Sequence, residues 1–600
     1  MILLDLIYLG SRIWQVLRSE KYGSDVIVDV IRELGVPYVT LNPGSTTRGL
    51  HDSIVNYGKN KNPQLMLCCH EEVAVSIAAG YFRATNKPLV VLLHDLAGLL
   101  HAPRAILDAW QHRDGLIILG GNGPLRIENR RAGTDWNQIA ESPNLVVRSY
   151  TKWDSLPYSL FSTAEAIAKG YAIASTKPAG PVYIAIDTDV QEDPIEAKQK
   201  LPPLGKSRAV EIGEGGIEDL KETARLLAEA ENPVFVTGRY GKSDESVDNL
   251  VKLAEEVGAA VLAGGLRCNF PSDHPLNLNE HEKDILPKAD VIVAFDVRNL
   301  FAELSRERSH YQRTDYDFLV RPEAKIITVD AERLYLNSWM TDSGRSVPVT
   351  KTIIADGSSA VRRLVKLCAE QVRLSNRRGS IADRVASLTE MSTARRKIWF
   401  DQGEKAIADS KINYPSLSLV LWRSIKDLDW VVSYVPGGIS SWIQRIWSIR
   451  KWYQYPGIAG GTGCGIGRAI GSTLANRGRF SINFETDGDL LYSPSGLWTI
   501  AHFRIPMLIV MANNHSYFND ERHQHEMAVR RGRPVKNKNI GIRIEDPYVN
   551  FSEMASAYGL KSSGPIDGIA SLKKSVREGI RVVAKEHRSY LLDTVVDMGE

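Results

Sequence analysis

Residues 484–518 read "FETDGDLLYSPSGLWTIAHFRIPMLIVMANNHSYF". The apolar run that leads into this stretch, RFSINFE, predicts a strand that ends at Thr486-Asp487-Gly488. A crossover helix, SPSGLWTIAHFRI, is followed by the predicted strand PMLIVMA, which ends at Asn513-Asn514. Ligands bind at the carboxyl ends of strands in open α/β sheets. We therefore expect Asp487 and Asn514 to lie close together at one edge of a parallel sheet.

The side chains at this edge predict a site for a cation and phosphate. A carboxylate, an amide oxygen and nearby backbone carbonyls are the hard oxygen ligands that Mg²⁺ or Ca²⁺ takes, with phosphate oxygens completing the shell. Backbone N–H groups around Gly488 and at the start of the following helix can hold phosphate groups. The Asp487-Gly488 pair or the Asn513-Asn514 pair alone is more often a simple turn. The prediction therefore depends on both pairs occurring on successive strands.

The rest of the chain repeats the alternation of apolar strands with helices. The predicted strands include PYVTL, PQLMLCC, PLVVLLHD, GLIILGG, GPVYIAID, NPVFVTGR, AAVLAGG, ADVIVAFD, AKIITVDAE, DWVVSYVPGG and SYLLDTVVD. Continuous apolar strands between helices predict buried parallel sheets. We predict an α/β fold of three modules, each a mostly parallel sheet flanked by helices, over residues 1–195, 210–370 and 400–600. A linker is predicted over 191–212 and a polar connector over 373–399.

Composition excludes several function classes. The chain has 600 residues, 43% hydrophobic and 24% charged, with a net charge of +3, which is ordinary for a globular protein of several domains. No nucleic-acid-binding motif accompanies that charge, so no nucleic-acid partner is expected. The apolar N-terminal run is too short to span a membrane, and we interpret it as an extension that packs on the body, with a weak organellar targeting peptide as the alternative. Five scattered cysteines predict a reducing, cytoplasmic setting.

Thr486-Asp487-Gly488, then 24 residues, then Asn513-Asn514 resembles the signature of the thiamine diphosphate (ThDP) enzymes, such as acetohydroxyacid synthase, pyruvate decarboxylase and benzoylformate decarboxylase. Their signature is Gly-Asp-Gly followed by Asn-Asn, so Thr486 departs from it. The resemblance implies ThDP and Mg²⁺ as cofactors, with Asp487, Asn514 and the carbonyl of Ser516 as metal ligands. The implied cofactor-binding set is Gly460, Gly461, Thr462, Asp487, Gly488, Asp489, Asn514 and Ser516.

Further segments extend the resemblance to the first module. CCHEEVAVSIAAGY implies that Glu71 is the catalytic glutamate that faces the aminopyrimidine ring. LNPGS and LLHDLAGLLHAPRAILDAW are similar to benzoylformate decarboxylase and place its active-site serine and histidine at Ser45 and His94. In the Gly-rich segment YPGIAGGTGCGIGRAIG, Gly460 would offer a carbonyl to the cofactor, and Thr462 would support it where Leu, Met or Ile is usual. A helix-capping Glu71 and a core His94 are the structural alternatives.

The resemblance implies a ThDP- and Mg²⁺-dependent lyase that decarboxylates 2-oxo acids through an enamine intermediate. The alternatives are a C–C carboligase or lyase, similar to acetolactate synthase or 2-hydroxyacyl-CoA lyase, and a catalytically impaired ThDP-fold binding protein. FAD is left open by these residues. The implied partners are a small-molecule 2-oxo acid or acyl-CoA substrate and a second copy of the chain, in a homodimer or homotetramer with the active site at the subunit interface. The basic segment that follows the Asn pair is interpreted as a solvated lid or as a surface for an anionic substrate.

Overall fold

The computed structural model describes residues 21–195, 200–202, 208–264, 267–308, 316–331, 345–457 and 461–598. These parts contain three parallel sheets flanked by helices, which confirms the predicted α/β class. The strands of each sheet fall inside one of the three predicted ranges, while the boundaries themselves stay a prediction. The predicted N-terminal extension and part of the predicted 191–212 linker lie outside the described residues.

The first sheet lies in the N-terminal module. Its strands are β1 (Tyr38–Leu41), β2 (Gln64–Leu67), β3 (Val90–His94), β4 (Ile117–Asn122), β5 (Trp153–Ser155) and β6 (Val182–Asp187). Its helices are α1 (Gly23–Glu33), α2 (Arg48–Asp52), α3 (Glu71–Thr85), α4 (Ala97–Leu100), α5 (Pro103–His112), α6 (Leu160–Ser175) and α7 (Thr188–Glu192). The strand order is β2-β1-β3-β4-β6-β5, with every pair parallel.

The second sheet forms a separate apolar core in the middle of the chain. Its strands are β7 (Pro233–Thr237), β8 (Ala260–Leu262), β9 (Val291–Phe295), β12 (Lys325–Asp330) and β13 (Lys351–Ile354), and an antiparallel hairpin of β10 (Ser305–Glu307) and β11 (Tyr316–Phe318) stands apart from it. Its helices are α8 (Ile217–Glu229), α9 (Asp244–Val257), α10 (Glu282–Ile285), α11 (Leu300–Glu303) and α12 (Gly357–Ser375). The sheet order is β13-β12-β9-β7-β8.

The predicted connector is a long helix, α13 (Arg378–Ala408). Arg384 donates from Nε to the carbonyl of Gly258 at 2.9 Å, at the end of α9 in the middle module. Arg396 donates from Nη2 to the carbonyl of Ile446 at 3.0 Å, in the C-terminal module. The polar residues of this segment therefore form a helix that makes hydrogen bonds to both modules.

The third sheet carries the residues of the opening stretch. Its strands are β14 (Trp430–Tyr434), β15 (Phe480–Thr486), β16 (Leu508–Asn513), β17 (Lys561–Ile566) and β18 (Tyr590–Val595), in the order β14-β15-β16-β18-β17. Its helices are α14 (Tyr414–Ile425), α15 (Gly437–Ile446), α16 (Gly465–Ala475), α17 (Asp487–Tyr492), α18 (Gly496–His502), α19 (Phe518–Arg530), α20 (Phe551–Ala557) and α21 (Ile569–Glu586).

Helices α3 and α16 bring the first and third modules together. Both helices are rich in small residues, and their buried faces belong to one continuous apolar core. A Cβ added at Gly471 would lie 2.0 Å from the carbonyl oxygen of Ile77, and one added at Gly80 would lie 2.2 Å from that of Arg468. Only glycine permits backbones to approach this closely. The packing fixes the start of α3, where Glu71 lies, against the third module.

Candidate active site

Asp487 and Asn514 lie together, as the spacing predicted. Asp487 begins α17 directly after β15, and Asn514 follows the last residue of β16, which pairs in parallel with β15. The backbone N–H of Ser516 donates to Asp487 Oδ2 at 2.9 Å and to Asn514 Oδ1 at 3.0 Å. Two side-chain oxygens from neighbouring strand ends therefore converge on a single amide. We call Asp487, Asn514 and Ser516 the clamp.

The clamp has the chemistry of an oxygen-rich cation site. Asp487 is buried, and this burial raises the pKa of its carboxyl, while N–H groups of Gly488 and Ser516 act in the opposite direction. Within the described part of the chain, no group of three or more His, Cys, Asp or Glu side chains is placed to hold a metal ion. A cation here would be held by one carboxylate with amide and carbonyl oxygens, which are donors that Mg²⁺ accepts. The residues present fit that ion.

Thr486 is compatible with the local backbone. Its φ of −107° and ψ of 159° are those of an extended strand, which a β-branched residue adopts readily. Glycine is therefore not required by conformation at Thr486. At Gly488 the constraint is packing, because an added Cβ would lie 2.5 Å from the ring of Tyr517 and the ring would have to move.

Asp489 lies beneath the Gly-rich loop. Its carboxyl is buried and accepts hydrogen bonds from the N–H of Gly463 and from Tyr434 Oη, the latter at 3.1 Å. The carboxyl of Glu485 lies beside it. Burial, followed by the neighbouring Asp489 charge, raises the pKa of Glu485 well above its usual range. The hydrogen bond from Gly463 lets Asp489 hold the loop in place.

The Gly-rich loop is described from Gly461 onward, so the predicted carbonyl of Gly460 lies outside the described residues. Gly461 has no room for a side chain, because a Cβ would lie 2.7 Å from Asp108 Oδ1 and 2.8 Å from Arg104 Nη2. Thr462 is exposed in the single chain. Its side chain therefore lies outside the core of its own module.

Glu71 and Glu72 at the start of α3 face different surroundings. Asn42 Nδ2 donates to Glu71 Oε1 at 3.0 Å, and a Cβ at Gly98 would lie 2.9 Å from the same oxygen. Glu72 instead accepts from Cys464 Sγ at 3.7 Å, in the third module. Among the described residues, Glu71 makes no hydrogen bond to the clamp. Within the described parts of one chain, no hydrogen bond therefore connects Glu71 to the clamp.

His94 ends β3, and Ser45 and Glu71 follow the ends of β1 and β2, so all three lie at the carboxyl edge of the first sheet. Thr46 Oγ1 and His94 Nδ1 are 2.7 Å apart, and Gly44 leaves room for the imidazole, since a Cβ there would lie 2.3 Å from its Cγ. Burial lowers the pKa of His94, the charge of Glu71 opposes this, and the charge of Arg131 adds to it. A neutral imidazole at neutral pH can accept and return a proton.

Three polar residues near this group were missed by the sequence analysis: Asn42, Arg131 and Gln138. Asn42 belongs to the LNPGS turn and could have been found from its position three residues before Ser45. Gln138 Oε1 accepts from Ser45 Oγ at 3.2 Å, and Arg131 Nη2 donates to Ser45 Oγ at 3.0 Å. These two residues lie in an irregular loop with no motif, so no sequence pattern marks them.

Comparisons with known proteins fit this geometry. Residues 21–140 match the N-terminal TPP binding domain of thiamine pyrophosphate enzymes, and residues 436–594 match the C-terminal TPP binding domain. The chain therefore carries both TPP binding domains of the thiamine pyrophosphate enzymes. Each matched range contains one half of the site, with Glu71 in the first and the clamp in the second.

Relatives within the family differ in their reactions. The chain is 24% identical to acetolactate synthase 1, chloroplastic, from Oryza sativa subsp. japonica (96% of this chain, 85% of that protein), and 24% identical to the probable acetolactate synthase large subunit of Methanocaldococcus jannaschii (96% and 92%). Its fold is similar to the 4-hydroxybenzoylformate decarboxylase of Rhodococcus jostii RHA1 (TM-score 0.73, 18% identity, 96% of this chain and 100% of that chain). It is also similar to the benzoylformate decarboxylase from Polynucleobacter necessarius (TM-score 0.72, 19% identity, 96% and 99%).

Two further observations concern the setting of the chain. Every helix in the described ranges is too short or too polar to cross a bilayer. All five cysteines are free thiols, four of them buried and Cys69 exposed.

Proposed function

We propose that this chain is a ThDP- and Mg²⁺-dependent lyase that decarboxylates 2-oxo acids in the cytoplasm. The observation that carries the proposal is the convergence of Asp487 Oδ2 and Asn514 Oδ1 on the amide of Ser516. This arrangement supports Asp487, Asn514 and the Ser516 carbonyl as the ligands of Mg²⁺, which would neutralise a diphosphate. Gly461, Gly488, Asp489 and Thr462 would shape the rest of the cofactor site.

ThDP, when bound, supplies a nucleophilic carbon and an electron sink for the cleavage of the bond to the carboxylate. Glu71 would hold or release a proton at the aminopyrimidine ring, and Asn42 would fix the orientation of its carboxyl. His94, with its lowered pKa, would carry a proton to or from the substrate, and Ser45 would orient the substrate by a hydrogen bond. The buried sheet edges around these groups would exclude water.

Glu71 and the clamp make no hydrogen bond to each other within one chain. As the family resemblance implies, we propose that a second copy completes the site in a homodimer or homotetramer, so that Glu71 of one copy acts with the clamp of the other. The acetolactate synthase relatives favour a second candidate, C–C bond formation or cleavage. The ordinary backbone at Thr486 argues against an impaired binding protein, and FAD stays an open question.

Calorimetric titration of ThDP, with Mg²⁺ and then with a chelator, tests the proposal. We expect binding that depends on Mg²⁺, followed by release of CO₂ and an aldehyde from at least one member of a panel of aromatic and aliphatic 2-oxo acids. Ligated products without free aldehyde would instead support the second candidate. An absence of Mg²⁺-dependent ThDP binding would refute both.

A further inference from the structure

The loop between β4 and β5 places a guanidinium beside the predicted catalytic group of the first module. Arg131 donates from Nη2 to Ser45 Oγ at 3.0 Å, and Ser45 Oγ donates to Gln138 Oε1 at 3.2 Å. The positive charge of Arg131 also acts on the imidazole of His94. We propose that Arg131 binds the carboxylate of the substrate together with Ser45, and so selects 2-oxo acids over neutral carbonyl compounds. This inference rests on the proposed function.

A purely structural role for Arg131 would be to neutralise Asp135. Asp135 is completely buried, and it accepts from Arg131 through the backbone N–H at 2.7 Å and through Nε at 3.0 Å. Burial alone would raise the pKa of Asp135, but the hydrogen bonds from Arg131 outweigh it and lower the pKa. The ion pair also includes Arg131 Nη2 and Asp135 Oδ1, so it holds the guanidinium in the orientation in which Nη2 bonds to Ser45.

The position of Arg131 suits an anion. Its side chain keeps 37% of its surface exposed, and Nη2 donates both to Asp135 Oδ1 and to Ser45 Oγ. The family resemblance places Ser45 in the active site. A guanidinium held by a buried acid is preorganised, so little side-chain entropy is lost when a second carboxylate binds. Gln138 and Ser45 add neutral hydrogen-bonding groups around the same point.

Such a contact affects binding more than the chemical step. A carboxylate held equally well before and during bond cleavage lowers KM and leaves kcat almost unchanged. A charge-assisted hydrogen bond that is lost from a partly shielded site raises KM by about 10- to 100-fold. A purely structural role would instead lower the activity toward every substrate, acids and esters alike.

The chain offers a matched control in the preceding residue. Arg130 donates to the carbonyl oxygens of Pro124 at 2.9 Å and Leu125 at 3.3 Å, and neither bond involves the predicted site. We therefore compare Arg131→Met with Arg130→Met, and we add Arg131→Lys to retain the charge without the planar fork. All variants are loaded with ThDP and Mg²⁺. Their KM and kcat are measured with pyruvate, benzoylformate and the methyl ester of each.

Substrate binding is measured separately by calorimetry in the Glu71→Gln background, where turnover is expected to be slow. We expect Arg131→Met to weaken binding and raise KM for the acids by about 10-fold or more, with kcat and ThDP affinity close to wild type. Its melting temperature should fall, because the buried Asp135 loses its ion-pair partner. Arg131→Lys should be intermediate, and Arg130→Met and the esters should show no such change. If the Arg131→Met protein does not fold, Arg131→Lys carries the same test.

Two results would overturn the inference. Unchanged KM and unchanged acid binding in an Arg131→Met protein that still binds ThDP would refute the role of Arg131 and leave the proposed function standing. Equal losses for acids and esters would show that Arg131 is structural. A wild-type protein that fails to bind ThDP would refute the proposed function itself, so the two failures are distinguishable.

Discussion

Replacing Glu71 by glutamine changes one ionisable carboxyl and keeps the shape of the side chain. Asn42 Nδ2 donates to Glu71 Oε1 at 3.0 Å, and the amide oxygen of glutamine can accept the same bond. The space that Gly98 leaves beside this oxygen is retained as well. The free energy of unfolding of Glu71→Gln should therefore stay within about 0.5 kcal/mol of the wild type.

The variant should instead lose catalytic rate, because proton transfer by the carboxyl is lost. A positioned general acid or base contributes about 10²- to 10⁴-fold to the rate, which corresponds to about 2.7–5.4 kcal/mol of activation free energy at 1.36 kcal/mol per tenfold. We expect kcat of Glu71→Gln to fall by this factor for every 2-oxo acid that the wild type consumes. Thermal melting and ThDP titration should remain close to those of the wild type.

The neighbouring Glu72 provides the control. Its carboxyl contacts Cys464 rather than Asn42, and glutamine at this position keeps that contact. The kcat of Glu72→Gln should stay within about threefold of the wild type. CO₂ release measured on ThDP-loaded protein distinguishes the two variants. A Glu71→Gln protein as fast as the wild type, or a large loss confined to Glu72→Gln, would refute the assignment of Glu71.

Three further outcomes are expected. Asp487→Ala should weaken Mg²⁺-dependent ThDP binding by about 100-fold. The control Asp520→Ala removes an exposed acid from α19 and should leave this binding unchanged. Equal ThDP affinities of the two variants in calorimetry would contradict the role of the clamp in binding Mg²⁺. Gly471→Ala places a Cβ 2.0 Å from a carbonyl oxygen of α3, so it should destabilise the chain by about 1–3 kcal/mol or more. The control Gly379→Ala, whose Cβ meets nothing within 4 Å, should leave the melting temperature unchanged. Burial lowers the pKa of His94, so the unfolded chain binds more protons below about pH 6.5 and stability falls as pH drops through that value. His94→Gln should flatten this fall in denaturant titrations between about pH 7 and pH 5, and an unchanged slope would exclude His94 as a contributor.

The central strands of all three sheets were predictable because they are buried on both faces and therefore read as unbroken apolar runs. Each sheet also has one strand that the sequence analysis missed: β5, β13 and β17. All three lie at a sheet edge and are largely exposed or half-buried. These three edge strands have little apolar surface to bury, so their composition does not differ from that of a loop. The edge strands β8 and β14 are buried, and their apolar runs were predicted.

Local sequence by itself determined the part of the predicted site that lies at the ends of parallel strands. Asp487 and Asn514 end two successive parallel strands, and parallel strands deliver their last residues to one edge of the sheet, so spacing was enough to bring them together. Tertiary structure alone decided that Arg131 and Gln138 would meet Ser45, and that Glu71 rather than Glu72 would face Asn42. These contacts join residues 29 to 93 positions apart through loops and a helix start. Such contacts depend on how the loop and helix pack on the sheet, which no short-range pattern of the chain records.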